Sequence, residues 1–299
     1  MVDQDPHPDL HTDSDPDREW ASWLVGLLKS AAERLDVHLL DAPSPGLRGR
    51  TVGARVSDGQ REWWLRVVTE PAGWAFGPAW TGNTDANQLT KVPHPRMEAI
   101  TEWDEPEVGR RARAELMTLA PGAPVSPELA LRAPARLDKP WWRQLRRSLD
   151  VLAGQPTQRV CLDPELLVRR ILAAFGVTID PHGLSWTTAH GDLHWANLTS
   201  PGCWILDWES WGSAPAGYDA ALLHAASLLE PDTATRVHDT FADLLDGSAG
   251  AVAQLAAAAK LLRLVEHGDH PDLAAPLHRQ ARAVAATYLG HPASVRTTL

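Results

Sequence analysis

His190-Gly191-Asp192-Leu193-His194-Trp195-Ala196-Asn197, followed by Trp204-Ile205-Leu206-Asp207-Trp208-Glu209, decides the reading of this chain. It holds an aspartate, an asparagine five residues later, and a second aspartate after an apolar run. A phosphoryl-transfer site needs these residue types. A carboxylate receives the proton of an attacking hydroxyl, and oxygen ligands hold the magnesium that neutralises a triphosphate. Trp186-Thr187-Thr188-Ala189 is apolar and β-branched and reads as a short buried strand ending at His190. Gly191 permits a sharp turn, so Asp192 is expected in a loop at a strand end, where catalytic groups are often held. Residues 202–206 read as a second strand that pairs with the first and delivers Asp207 at its tip. Asp192 is the candidate catalytic base and His190 the brace of its loop. Asn197 and Asp207 are the candidate magnesium ligands.

The run HGDLHWAN followed by ILDWE resembles the catalytic and metal-binding segments of the aminoglycoside phosphotransferases and choline-kinase-like enzymes. Those proteins share the two-lobed protein-kinase fold, whose patterns H-R-D-L-x-x-x-N and D-F-G are the more distant version. Gly191, His194 and the Asp-Trp-Glu at 207–209 point to the small-molecule branch. The resemblance implies Asp192 as base and Asn197 and Asp207 as Mg2+ ligands. It also implies ATP or GTP as co-substrate and a small-molecule hydroxyl as acceptor. Two further segments agree. Glu115-Leu116-Met117-Thr118-Leu119-Ala120-Pro121-Gly122 resembles the last N-lobe strand running into the hinge. Backbone groups of Met117, Thr118, Leu119 and Ala120 would then take the nucleotide base. Ser213-Ala214-Pro215-Ala216-Gly217-Tyr218-Asp219 resembles the element whose aspartate, here Asp219, ties a helix start to the catalytic loop. The resemblance covers roughly residues 40–290.

The expected fold is α+β and protein-kinase-like, with a strand-rich N-lobe and a helical C-lobe. Residues 1–19 read as a disordered acidic tail, 20–120 as the nucleotide-binding N-lobe, and 121–299 as the C-lobe with catalytic loop and acceptor site. Trp20, Trp23, Leu24, Leu27, Leu28, Ala31 and Leu35 have helical spacing. Strands are expected within 37–68, at 96–103 and at 111–119. Residues 70–95 show no strong period. Helices are expected at 127–133, 141–153, 163–175, 218–229, 232–245, 249–266 and 272–288.

The N-lobe departs from the family pattern. The family has a phosphate-contacting lysine on its third strand, but the four lysines here are Lys29, Lys91, Lys139 and Lys260. Arg66 is the nearest positional match, with a planar fork that can grip phosphate. Strand alternation puts Trp64 on the same face as Arg66, where a small residue would lie against the adenine. Asp85 is the candidate for the missing helix carboxylate that partners the lysine. Gly46-Leu47-Arg48-Gly49-Arg50-Thr51-Val52-Gly53 is a weak candidate phosphate loop.

Charge bounds the partners. Residues 1–19 carry seven acids against Arg18 alone, a net −6 that leaves −4 of the chain's −10 to the remainder. A mildly acidic body argues against nucleic acid. No apolar run approaches the roughly 20 residues of a membrane span, so no membrane partner is expected. The two cysteines form no framework and no signal peptide opens the chain, so a cytoplasmic location is the default. The oligomeric state is left open. Trp195 and Trp211 flank the motif and could wall an acceptor pocket. Asp239, Asp243, Glu266 and Asp269 could grip a cationic acceptor, though a solvated helix face is the plainer reading. Three functions compete. The leading one is a small-molecule kinase acting on an aminoglycoside-like antibiotic or metabolite. The others are a peptide or protein Ser/Thr kinase and a non-catalytic pseudokinase scaffold.

Overall fold

The computed structural model describes residues 15–46 and 49–290. The expected tail up to residue 14, and Leu47 and Arg48 of the candidate phosphate loop, lie outside the described residues. The chain divides into two compact units. One reaches Gly77 and takes in Pro95–Leu119, and the other joins Pro78–His94 to the chain from Ala120 onward.

The first unit is a sheet with one covering helix. The helix, α1 (Asp15–Arg34), begins ahead of Trp20, so residues 15–19 are helical where a tail was expected. The strands are β1 (His38–Leu39), β2 (Ser44–Pro45), β3 (Thr51–Ser57), β4 (Glu62–Pro71), β5 (Met97–Glu105) and β6 (Arg110–Thr118). They pair antiparallel in the order β1-β3-β4-β6-β5, with β2 also on β3. Strand alternation sets the core. Trp63, Leu65 and Val67 of β4 pack with Val52, Ala54 and Val56 of β3 under Leu24, Leu27, Leu28 and Ala31 of α1. The opposite face carries Trp64 and Arg66.

The second unit is mostly helical. It holds α2 (Gly77–Asp85), β7 (Ala123–Pro124), α3 (Lys139–Ala153), α4 (Pro164–Phe175), β8 (Trp186–Ala189), β9 (Thr199–Ser200) and β10 (Gly212–Pro215). The remaining helices are α5 (Tyr218–Ala226), α6 (Pro231–Thr240), α7 (Ala242–Leu245), α8 (Gly247–Glu266) and α9 (Ala274–Leu289). The helix α2 lies in the stretch that showed no period in sequence. Asp138 and Asp163 cap α3 and α4, each accepting backbone N–H groups of the first turn.

Contrary to the expectation that no run reaches membrane-spanning length, α8 is twenty residues long and by composition apolar enough to cross a bilayer. Most of it is buried against α4, α5 and α9, as befits a helix that is apolar all round.

Two expected elements do not form. Residues 127–133 are irregular, and the Leu131 N–H that a helix would use internally goes to another element. Ser126 N–H reaches Trp195 O, and Leu131 N–H reaches Ala226 O. Residues 202–206 do not pair with β8. They turn back on their own neighbours, Thr199 N–H donating to Trp204 O at 3.1 Å and Leu206 N–H to Asn197 O at 2.9 Å. The partner of β8 is β10, with Ala189 opposite Gly212. Closing so short a loop costs little chain entropy.

Candidate active site

Strand β8 ends at Ala189 and the chain turns at Gly191, whose φ is 83°. A Cβ there would lie 2.3 Å from Cys161 Sγ and 2.8 Å from Ser210 O, so only glycine fits. Asp219, in the first turn of α5, accepts the N–H groups of His190 at 2.7 Å and Gly191 at 2.9 Å. Burial raises its pKa to about 6 against the pull of those two donors. The helix start is thus bound to the loop through one carboxylate.

His190 is fully buried and links the two halves of the motif. Its Nδ1 accepts the Asp192 N–H at 3.3 Å and its Nε2 lies 2.9 Å from Leu206 O. Those contacts fix the neutral tautomer with the proton on Nε2. Burial agrees, holding the imidazole pKa down to about 4. The ring also meets Trp208 edge to face. Asn197 Nδ2 donates to Asp192 O at 3.0 Å and approaches His194 Nε2. Both contacts are made by the amide nitrogen.

Asp207 is a non-glycine residue at φ 59°, a sparsely populated backbone region. Its neighbours hold it there. Leu206 is bonded by His190 and Asn197, and Trp208 N–H donates to Asn83 Oδ1 of α2 at 2.8 Å. Helix α2 comes close because residue 82 is glycine. A Cβ there would lie 2.5 Å from Trp208 O. Arg159 fastens the same junction, reaching Asp85 Oδ2 at 2.6 Å, Glu209 O at 3.0 Å and Trp211 O at 2.9 Å.

A divalent cation fits this donor set. Among the described residues no group of three or more His, Cys, Asp or Glu could hold a metal. The Asn197 amide and the exposed Asp207 carboxylate offer hard oxygens. Magnesium characteristically takes one or two protein oxygens and completes its shell with phosphates and water.

Lys260 of α8 was not singled out in the sequence. Its Nζ lies 2.7 Å from Asp192 Oδ1 and 2.7 Å from Gly191 O. Burial works against ionisation of Asp192, but Lys260 and His194 overcome it and hold the carboxyl well below its usual range. A signal was present, since Lys260 is the one charged residue between 247 and 262. A charge in so apolar a helix requires a partner.

In the first unit Arg66 Nη1 bonds Glu115 Oε2, and Arg113 takes the other carboxylate oxygen. Asp85, the expected helix carboxylate, pairs instead with Arg159. Trp64 lies over Gly53, where a Cβ would come within 2.7 Å of its ring. At the end of β6, Met117 is opposite Trp64 and Met97, and Thr118 N–H bonds Arg96 O at 2.9 Å. Leu119 is the last residue of that unit.

Trp195 and Trp211 wall no pocket. Both are buried in the core, bonded to Ser227 Oγ and Gly82 O. Asp243 is tied to Arg146.

The strand-rich unit and the helical unit have the protein-kinase-like fold of the solved structures to which the chain is similar. Amicoumacin kinase hAmiN, solved with AMP-PNP, Ca2+ and Ami, superposes with a TM-score of 0.58 at 12% identity over 94% of this chain and 97% of its own. Aminoglycoside phosphotransferase APH(4)-Ia gives 0.60 at 14% identity over 88% and 98%. A thermostable mutant of it, in ternary complex with AMP-PNP and hygromycin B, gives 0.60 at 14% over 87% and 98%. At these identities the likeness is one of fold. No family model matches the chain, and no curated protein does.

Proposed function

We propose that this protein is a kinase that moves the γ-phosphoryl group of ATP or GTP to a hydroxyl of a small molecule, an aminoglycoside-like antibiotic or a metabolite. The acceptor oxygen bonds to the γ-phosphorus as the bond to the β–γ bridging oxygen breaks. The nucleoside diphosphate leaves, and the hydroxyl proton passes to Asp192. Asn197 and Asp207 are the residues that would hold Mg2+, which when bound neutralises phosphate charge. Arg66 would contact phosphate, and the backbone of Met117, Thr118 and Leu119 would take the base. His190 keeps the catalytic loop and the Asp207 segment in register.

One observation carries this reading. His190, through Asp192 N–H and Leu206 O, fixes the proposed base and the proposed metal ligand in a single bonded unit. The neighbours' complexes with AMP-PNP, amicoumacin and hygromycin B support a nucleotide donor and a small-molecule acceptor. A second reading, a non-catalytic scaffold, draws on Trp64 over Gly53 and on Arg66 held by Glu115.

Melting curves with Mg·ATP and Mg·GTP separate the two. A nucleotide at about 100 times its Kd stabilises the folded chain by about 2.7 kcal/mol. A melting temperature that neither nucleotide moves defeats the kinase reading.

A further inference from the structure

Lys260 is anchored in the helix that forms the centre of the second unit, flanked by Ala257, Ala258, Ala259, Leu261 and Leu262, all buried. Its ammonium makes two contacts, one with a side chain and one with the backbone of the same loop. Asp192 Oδ1 and Gly191 O each lie 2.7 Å from Nζ. Gripping both fixes the carboxylate relative to the loop that carries it. The other oxygen, Oδ2, lies 3.6 Å from His194 Nε2. With Oδ1 engaged, Oδ2 is the oxygen left to meet an acceptor hydroxyl, and the Asp192 side chain is 32% exposed, open enough to do so.

Resting on the phosphotransferase reading, we infer that Lys260 is a positioning residue of the reaction, holding Asp192 by one carboxylate oxygen so that the other aligns the acceptor hydroxyl. The anchor matters because a group displaced by about 1 Å can cost on the order of 10²-fold in rate. A rotating carboxylate would also present its two oxygens in turn. An ammonium mounted on a rigid core helix removes that freedom.

The test uses the full chain and Mg·ATP, with ADP release into water as the readout. Lys260→Gln keeps an N–H donor, one bond shorter than the lysine, and loses the charge. Lys260→Met loses both, and Lys260→Arg restores the charge. The inference requires kcat to fall about tenfold or more in Lys260→Gln, with KM for ATP within about twofold of wild type. It also requires Lys260→Arg to recover part of the loss. A kcat within about twofold of wild type, or a loss confined to KM, overturns it. If Lys260→Met does not fold, Lys260→Gln is read alone. If the wild type binds Mg·ATP but releases no ADP into water, crystal structures of the variants decide. A carboxylate of Asp192 that keeps its place without the lysine overturns the inference, and one that rotates supports it. A wild-type melting temperature that Mg·ATP leaves unmoved is a different failure, that of the kinase reading itself.

Discussion

Arg66 Nη1 lies 2.8 Å from Glu115 Oε2, directly across the β4–β6 pair. The carboxylate is 2% exposed and its second oxygen bonds Arg113. The cation expected to serve phosphate is therefore paired with a sheet neighbour. Removing one partner of a buried pair leaves the other charge uncompensated, so Glu115→Gln is expected to destabilise the protein by about 3 kcal/mol in urea melts. Arg66→Ala is expected to weaken Mg·ATP about ten- to a hundredfold, as loss of a charge-assisted hydrogen bond does. Two variants that lose stability alike while leaving ATP affinity unchanged would make the pair purely structural.

Asp192→Asn is expected to lower phosphoryl transfer by about 10²–10⁴, the usual worth of a positioned base. Folding should persist, because asparagine fills the same space and still accepts from Lys260. A variant retaining most of its turnover would remove Asp192 from the mechanism.

Asp207→Ala should lose Mg2+-dependent nucleotide binding more severely than Asn197→Ala. The first brings full charge to a hard cation and the second only a dipole. Asn197→Ala should also cost stability, since Asn197 Nδ2 bonds the Asp192 carbonyl. Nucleotide titrations at several magnesium concentrations test both. Binding that ignores magnesium contradicts the assignment.

Gly82→Ala should reverse the usual rule. Within a helix, alanine is ordinarily about 1 kcal/mol more favourable than glycine. Here the added methyl would meet Trp208 O at 2.5 Å and Glu209 Cα at 2.6 Å. Overpacking of this kind costs about 1–3 kcal/mol. An unchanged or raised melting temperature would show that α2 does not sit against the segment after Asp207.

His224 lies between Gln280, whose Nε2 is 2.7 Å from its Nδ1, and the ring of His238. Burial, helped by His238, lowers its pKa to about 4. The folded pKa is below the ordinary value of about 6.5, so between those two pH values the unfolded chain binds the extra proton. Stability from this group is complete above that window and is lost as pH falls through it, by at most about 3 kcal/mol. His224→Gln should remove that share of the acid sensitivity. Parallel melting-temperature curves for variant and wild type between about pH 7 and 4 would refute it.

Much of the fold was legible because its signals are local. Strand alternation around Trp63, Leu65 and Val67 and helical spacing in α1 each repeat within a few residues. The motif from His190 to Asp207 stood out through residue types at short spacing. Where the reading failed, the deciding partner was distant or carried no period. Irregular 127–133 gives the Leu131 N–H to Ala226 O, and residues 202–206 close a local turn with no strand pairing to β8.

The protein-kinase-like fold and the spacing of Asp192, Asn197 and Asp207 were already present in the order of residues, because both rest on short-range signals. Only the tertiary structure decided that Lys260 meets Asp192 across 68 residues, that Glu115 faces Arg66 across 49, and that α2 docks on Trp208 through Gly82. Such pairings are set by how helices and strands pack once the core has formed. A lone charge in an apolar helix shows that a partner must exist, and the fold alone names which one.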